Sequence, residues 1–321
     1  MTDIKAEALD WLRSYRNFPQ LQSVNKAGFP IGRTTWFPIE DDWSIHATGY
    51  RGNYRVKQIR NNPHLEAMWL DTTETPTRSV RIRGLGYHTV DESLVRIYNE
   101  REDIARAGGS GFGPRLFDKE ITDTVCCTHI TPLRVRLEGF GQQDSPLVWD
   151  VSPDDLLPEP PLENGSEAQS GPTGFRQELD MSIDQASVAA LEWCGRQPAR
   201  QHLYVIEDGF PTGDFAMLYA GDDWTTLAVL EEGTRVVDAV LTDAHAELAW
   251  IDIAHDWPKM TVPKAVFVQG QATVLEPDAA REALNAVSWG GSENVQVIRV
   301  HPTRIRTEGF GEGLQLYAWN V

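Results

Sequence analysis

Four positive side chains in the first half of the chain, Arg33, Arg51, Arg55 and Lys57, stand where an internal copy of the same sequence carries Asp214, Glu232, Val236 and Asp238. Guanidinium and ammonium groups at short spacing hold anions through charge-assisted hydrogen bonds, whereas carboxylates repel them. Thr48, a hydroxyl donor, is Val229 in the copy. The bland alternative is that the charges over Arg51 to Arg60 are only the solvated face of a short helix.

The copies themselves are plain. Val24 to Asp71 aligns without a gap on Val205 to Asp252, and 15 of the 48 positions are identical. Gly28-Phe29-Pro30-x-Gly32 returns as Gly209-Phe210-Pro211-x-Gly213, Asp41-Asp42-Trp43 as Asp222-Asp223-Trp224, and His64, Glu66, Trp69 and Asp71 as His245, Glu247, Trp250 and Asp252. A later block repeats at an offset of 170, where Pro132-x-Arg134-x-Arg136-x-Glu138-Gly139-Phe140-Gly141 matches Pro302-x-Arg304-x-Arg306-x-Glu308-Gly309-Phe310-Gly311. Trp149-x-Val151 and Trp319-x-Val321 close the two copies. Each repeat is the size of a domain, far longer than a solenoid unit. The expected organisation is a domain over 1–151, a linker over 152–178 rich in Pro, Gly, Ser and acidic residues, and a second domain over 179–321.

The net charge of -18 is lopsided. Residues 1–151 hold 19 Lys and Arg against 20 Asp and Glu, so the remaining 10 and 27 leave nearly all the excess acid in the linker and second copy. Such a surface repels nucleic acid and anionic lipid, so neither is expected as a partner; a small-molecule substrate is. No apolar run approaches the ~20 residues a membrane helix needs, and the acidic, amphipathic N-terminal stretch does not resemble a secretory signal. The expectation is a cytoplasmic chain. Three cysteines, Cys126, Cys127 and Cys194, do not make a disulfide framework.

The elements that must position these residues read mostly as strands. In the first copy a helix begins at Ile4, and strands follow at Leu21–Asn25, Gly32–Pro38, Trp43–Thr48, Leu65–Leu70, Ser79–Val90 and Val125–Phe140. Helices are expected at Tyr54–Asn61 and Asp91–Ala107, and in the second copy at Ile183–Cys194 and Asp278–Val287. Short antiparallel strands with few helices argue for a mainly β protein, with a small closed or split β-barrel and peripheral helices in each copy.

The stretch from Arg33 to Pro63 resembles the pyridoxamine-5'-phosphate-oxidase-like, FMN-binding split-barrel superfamily. In the oxidase a strand reads Arg-Thr-Val-Leu-Leu-Lys, with a turn-opening Thr fifteen residues after the Arg; this chain has Arg33-Thr34-Thr35-Trp36-Phe37-Pro38 and then Thr48. A family Lys lies eight residues before the Pro of an Asn-Pro pair, and Arg55 lies eight before Pro63. A later family strand, Arg-Gln-Val-Arg-x-x-Gly, is similar to Arg78-Ser79-Val80-Arg81-Ile82-Arg83-Gly84. Pro38, Arg55 and Ser79 depart from the family's Lys, Lys and Gln, and the oxidase's C-terminal substrate-binding Trp and Arg pattern has no clear copy here.

The resemblance implies an FMN-dependent oxidoreductase with Arg33, Thr34, Thr35, Thr48, Arg51, Arg55, Lys57 and Ser79 as cofactor-binding residues. It also implies two barrels acting as a pseudo-dimer within one chain, with a single flavin site between them and a second site lost; a further homodimer is not required. Tyr50, Tyr54, Trp36, Trp289 and Trp319 are candidate pocket walls, and no side chain stands out as acid, base or nucleophile. Alternatives on the same scaffold are a deazaflavin enzyme, a haem protein with His46, His88 or His129 as axial ligand, and a non-catalytic flavin- or partner-binding protein.

Other motifs read as scaffold. Cys127 and His129 share a strand face, but two ligands without a second cluster favour core packing over metal. His64 and His245 recur at strand starts. The repeated Glu-Gly-Phe-Gly marks a strand ending or bulge. Gly108 to Gly113 reads as a loop that could cover a groove.

Overall fold

A computed structural model describes residues 4–14, 19–34, 37–71, 78–89, 91, 93–97, 125–141, 145–156, 181–197, 200–252, 264–292, 294–311 and 316–321. They fall into two compact units. The first holds the described residues of Met1–Lys26 and Arg33–Gly174, the second those of Ala27–Gly32, Phe175–Ala254 and Thr261–Val321.

The first unit begins with helix α1 (Ile4–Ser14), whose Ala8 and Leu12 face the core. Strands β1 (Gln20–Val24), β2 (Pro30–Thr34, of which Arg33 and Thr34 belong to this unit) and β3 (Ile45–Tyr50) lead to helix α2 (Tyr54–Asn61). Strands β4 (His64–Asp71), β5 (Arg78–Thr89), β6 (Val125–Glu138) and β7 (Leu147–Asp150) complete it. The sheet order is β2-β1-β4-β5-β6-β3, with β7 beside β6. Side-chain alternation sends Leu21, Leu65, Ala67, Val80, Ile82, Val135 and Ile45 into one apolar core.

The second unit repeats this plan. Helix α3 (Ile183–Cys194), capped reciprocally by Ser182 and Gln185, precedes β8 (Arg200–Glu207), β9 (Phe210–Ala220) and β10 (Thr226–Glu231). Helix α4 (Arg235–Thr242), β11 (His245–Ile251), β12 (Ala265–Val274), helix α5 (Pro277–Ala286), β13 (Val295–Glu308) and β14 (Leu316–Asn320) follow. Because β10 pairs with both β9 and β13, six strands close into a barrel, with β14 outside it on β13. Strand β3 and helix α2 coincide with β10 and α4 at the offset of 181, and β6 coincides with β13 at 170.

The repeated motifs have matching physical jobs. Trp43 and Trp224 both adopt positive φ, 69° and 64°, which costs an L-residue of the order of 1–3 kcal/mol. Burying a large indole offsets that cost. Trp43 packs edge-on against Trp149 at 5.3 Å, and Trp224 packs against Trp319 at 6.1 Å, so the Asp-Asp-Trp tryptophan of each copy meets its closing Trp-x-Val tryptophan. Trp319 thus serves its unit's core, where a pocket wall was expected. Phe140 and Phe310 are buried, each flanked by glycines at positive φ, and pack on Trp11 and Trp193 of the leading helices.

Both long hairpins carry a bulge, between Arg83 and Gly84 and between Gln269 and Gly270. This pairs β5 with β12 at an offset of 186, hidden in the sequence because the connections before these strands differ in length. Most strand limits fall within one or two residues of expectation, and β2 departs further. Strand β2 ends at Thr34, β3 begins at Ile45, and the helix expected over Asp91–Ala107 is described only at residues 93–97. Gly108–Gly113 and most of the linker lie outside the described residues. The three cysteines are buried and form no disulfide. No described helix is long and apolar enough to cross a membrane.

Candidate anion site at the start of helix α2

Helix α2 opens on Asn53, whose Oδ1 accepts from the Arg55 backbone N–H at 3.2 Å, and its first turn carries no acidic residue. Arg33, Arg51, Arg55, Lys57 and Arg60 cluster by sequence or contact around it. Arg55 lies within the helix and is only 7% exposed. Its Nη2 donates to the carbonyl of Thr48 at 2.9 Å, at the end of β3 where the chain turns towards the helix. A Cβ at Gly49 would sit 2.6 Å from that same Nη2, so the missing side chain makes room for the guanidinium.

Arg33 reaches the helix from β2. Its Nη1 donates to Ser23 Oγ at 3.1 Å and its Nη2 to Gln58 Oε1, which also accepts from Ser23 at 3.2 Å. Positions 55 and 58 are one turn apart on the same side of α2, so the helix gathers Arg33 and Arg55. Lys57 is exposed, its Nζ 5.8 Å from the ring centre of the exposed Tyr54, and Arg51 is half-buried.

Two expected participants sit differently. Thr48 contributes its carbonyl to Arg55, and strand alternation turns its side chain away from the face on which Gly49 meets the guanidinium. Ser79 is far along β5: it pairs with Glu138, whereas Thr89 at the other end pairs with Cys127, itself opposite Thr48. Ten residues of strand separate Ser79 from that end, about 30 Å. The Ser79 hydroxyl instead donates to Glu138 Oε2 at 2.7 Å. Burial pushes the Glu138 carboxyl up, but Arg81, Ser79 and Arg136 together outweigh it and hold the group below the usual carboxylate range. Thr35 and Trp36 lie outside the described residues, as do the side chains of Thr34 and Tyr50. Trp289 packs on Tyr219 and donates to the Ser292 carbonyl at 2.9 Å.

Sequence reasoning offered His88 only as a possible haem ligand, and the structure puts it at the centre of this cluster. Its Nε2 lies 3.2 Å from the Val56 carbonyl and its Nδ1 3.1 Å from Thr128 Oγ1. A carbonyl only accepts, so Nε2 carries the hydrogen and Nδ1 accepts from the threonine. Neither nitrogen is left for a haem iron. Burial, with Arg60 and Arg55 nearby, pushes the His88 pKa down from 6.5 to about 3. In the unfolded chain the ring protonates near 6.5, so His88 supports stability fully above that pH and progressively less as pH falls towards 3. Unfolding free energies at pH 7 and pH 5 are expected to differ by about 2 kcal/mol more in the parent chain than in His88→Gln, because each pH unit below 6.5 is worth about 1.4 kcal/mol.

The second unit fills the equivalent space with hydrocarbon. Arg55, His88 and Thr128 correspond to Val236, Val274 and Ile298, and Val274 pairs with Ile298 as His88 pairs with Thr128. Val236 and Ile298 are fully buried in the apolar core. Val229, in place of Thr48, is also buried, on the strand face opposite to core residues Ala228 and Leu230. Arg235, at the start of α4, is ion-paired to Glu207 at 3.1 Å. Comparing the copies strand by strand is the signal that singles out His88 and Thr128, and it needs the bulge glycines to set the alignment.

No cluster of three or more His, Cys, Asp or Glu suited to a metal exists among the described residues. Cys127 Sγ lies 3.7 Å from the Thr128 carbonyl, inside the sheet packing.

No protein-family model matches the chain, and no curated sequence matches it. Solved structures resemble it over somewhat less than half its length, about the extent of one copy. A protein described as a putative pyridoxamine 5'-phosphate oxidase from Listeria innocua is 20% identical over 42% of this chain and 98% of its own, with a TM-score of 0.33. A haem-binding protein from Mycobacterium smegmatis is 17% identical over 42% of this chain and 57% of its own, with a TM-score of 0.33. An F420 reductase is 18% identical over 42% of this chain and 96% of its own, with a TM-score of 0.31.

Proposed function

We propose that this mainly β chain of two tandem barrels binds flavin mononucleotide through the first copy alone, and that it is a flavin-dependent oxidoreductase of a small molecule. The observation that carries the reading is the polar cluster around the start of α2, set against its apolar replacement in the second unit. Buried Arg55 and half-buried Arg33 concentrate positive charge on one helix, as an anion site would need, whereas Val236, Val274 and Ile298 show that the same space packs well without charge.

The first copy's residues suit a phosphate ester. Arg55 and Arg33 offer planar donors, and exposed Lys57 and half-buried Arg51 add positive charge beside them. The helix N-terminus adds its partial positive charge. Flavin, when bound, supplies hydride or electron transfer; the chain's part is to anchor the phosphate and orient the ring. Neutral His88, with its hydrogen fixed on Nε2, adds no charge of its own and braces the helix from within the barrel.

The test compares two ligands that differ only in the phosphate. Flavin mononucleotide is expected to bind at least about 100-fold more tightly than riboflavin, because charge-assisted hydrogen bonds contribute ~1.5–3 kcal/mol each. Equal affinities would remove the phosphate cradle from the account. A Soret band in place of flavin absorbance would turn the reading to haem.

A further inference from the structure

The contacts of the anion site leave out a second pair of buried imidazoles. His46 on β3 and His129 on β6 are cross-strand partners, each about 3% exposed. Their Nδ1 atoms lie 3.2 Å apart, with ring centres at 4.8 Å and planes at 42°. On the opposite edge of His46, Nε2 lies 3.8 Å from Glu40 Oε1, and the Glu40 side chain is one-fifth exposed. Backbone hydrogen bonds of the 40–44 turn hold Glu40 there: its N–H donates to the Ser44 carbonyl at 2.9 Å, and its carbonyl accepts from Trp43 at 3.1 Å.

We infer that Glu40, His46 and His129 form a proton relay running from the surface of the first unit along the face of the β3–β6 pair that is turned away from its apolar core. Two nitrogens at 3.2 Å share one hydrogen: two bare lone pairs, or two N–H groups, would repel. The carboxylate beside Nε2 of His46 favours a hydrogen there, which leaves His46 Nδ1 bare and places the shared hydrogen on Nδ1 of His129. Which nitrogen of a histidine carries its proton is set by what the other one meets, and here the chain of contacts orders both rings.

The relay balances. One proton arriving at His129 Nε2 releases the Nδ1 hydrogen to His46 Nδ1, and the Nε2 hydrogen of His46 passes to the Glu40 carboxylate and on to water. Each ring ends with one hydrogen, on the nitrogen opposite to where it began, and a proton travelling inward restores the start. The 3.8 Å step closes by a rotation of Glu40 or through one water. The second copy lacks every member: Gly221, Leu227 and Arg299 stand at the three positions, and Leu227 pairs with Arg299 across the strands. Thr48 and Cys127 share the His46 and His129 face one step further along their strands, about 7 Å away, on the side of the pair opposite to Arg55. The inference stands whichever cofactor the chain takes.

Histidine ring nitrogens of the full-length, ¹⁵N-histidine-labelled protein at neutral pH report it directly. The His46 and His129 signals are assigned by their loss in His46→Gln and His129→Gln. If a glutamine variant does not fold, through-space contacts across the β3–β6 pair assign the rings in the unchanged chain. The expected result is a protonated Nδ1 on His129 and a bare Nδ1 on His46, with Glu40→Gln slowing exchange of the His129 ring hydrogen with water by about tenfold while the tautomers persist. Two rings both protonated at Nε2 only, two fully protonated rings, or an exchange rate indifferent to Glu40→Gln would overturn it.

Discussion

The combined Arg33→Ala and Arg55→Ala variant is expected to lose at least about 100-fold in affinity for flavin mononucleotide while keeping its weak affinity for riboflavin. Each guanidinium removes one charge-assisted contact worth ~1.5–3 kcal/mol, and both sit on the same side of helix α2. Losing Arg55 also leaves the buried Thr48 carbonyl without that donor, so some stability goes with it. The comparison of the two ligands separates these effects, because a global loss of structure weakens both. Calorimetric titration measures it. Equal losses for both flavins would mean that the arginines shape the barrel and do not read a phosphate.

Gly270→Ala is expected to destabilise the second unit by about 3 kcal/mol or more. A Cβ there would stand 2.0 Å from the His301 carbonyl oxygen and 2.8 Å from a Val300 methyl. The obstacle is backbone held in the β12–β13 ladder, which cannot move without surrendering the bulge. Gly84→Ala meets the Thr131 carbonyl at 2.4 Å at the corresponding bulge of the first unit and is expected to behave alike. Gly290→Ala, with nothing within 4 Å, is the control and is expected to change stability by less than about 0.5 kcal/mol. Chemical denaturation ranks the three; a harmless Gly270→Ala would mean that the hairpin pairs in another register.

Much of the fold was legible because the chain states it twice. The Asp-Asp-Trp and Trp-x-Val landmarks proved to be two ends of one contact, and Glu-Gly-Phe-Gly proved to seat a phenylalanine under a helix. Helices α2 and α3 begin and end where periodicity put them. The site was legible only as a difference in charge. Arg33 and Arg55 do meet one helix, but the spacing that named Thr48 could not tell its hydroxyl from its carbonyl, since that depends on which strand face turns towards α2. Ser79 matched a family pattern on a strand whose other end serves the site. His88 with Thr128, and His46 with His129, are 40 and 83 residues apart, and only strand register reveals that they touch.

The claim on which the rest depends is that one copy holds the cofactor and the other does not. The direct measurement is the number of flavins retained per chain after saturation with flavin mononucleotide and desalting, read from visible absorbance, in the parent chain and in the Arg33→Ala, Arg55→Ala variant. The account predicts one per parent chain and none per variant. Two per chain, or one that survives loss of both arginines, would contradict it.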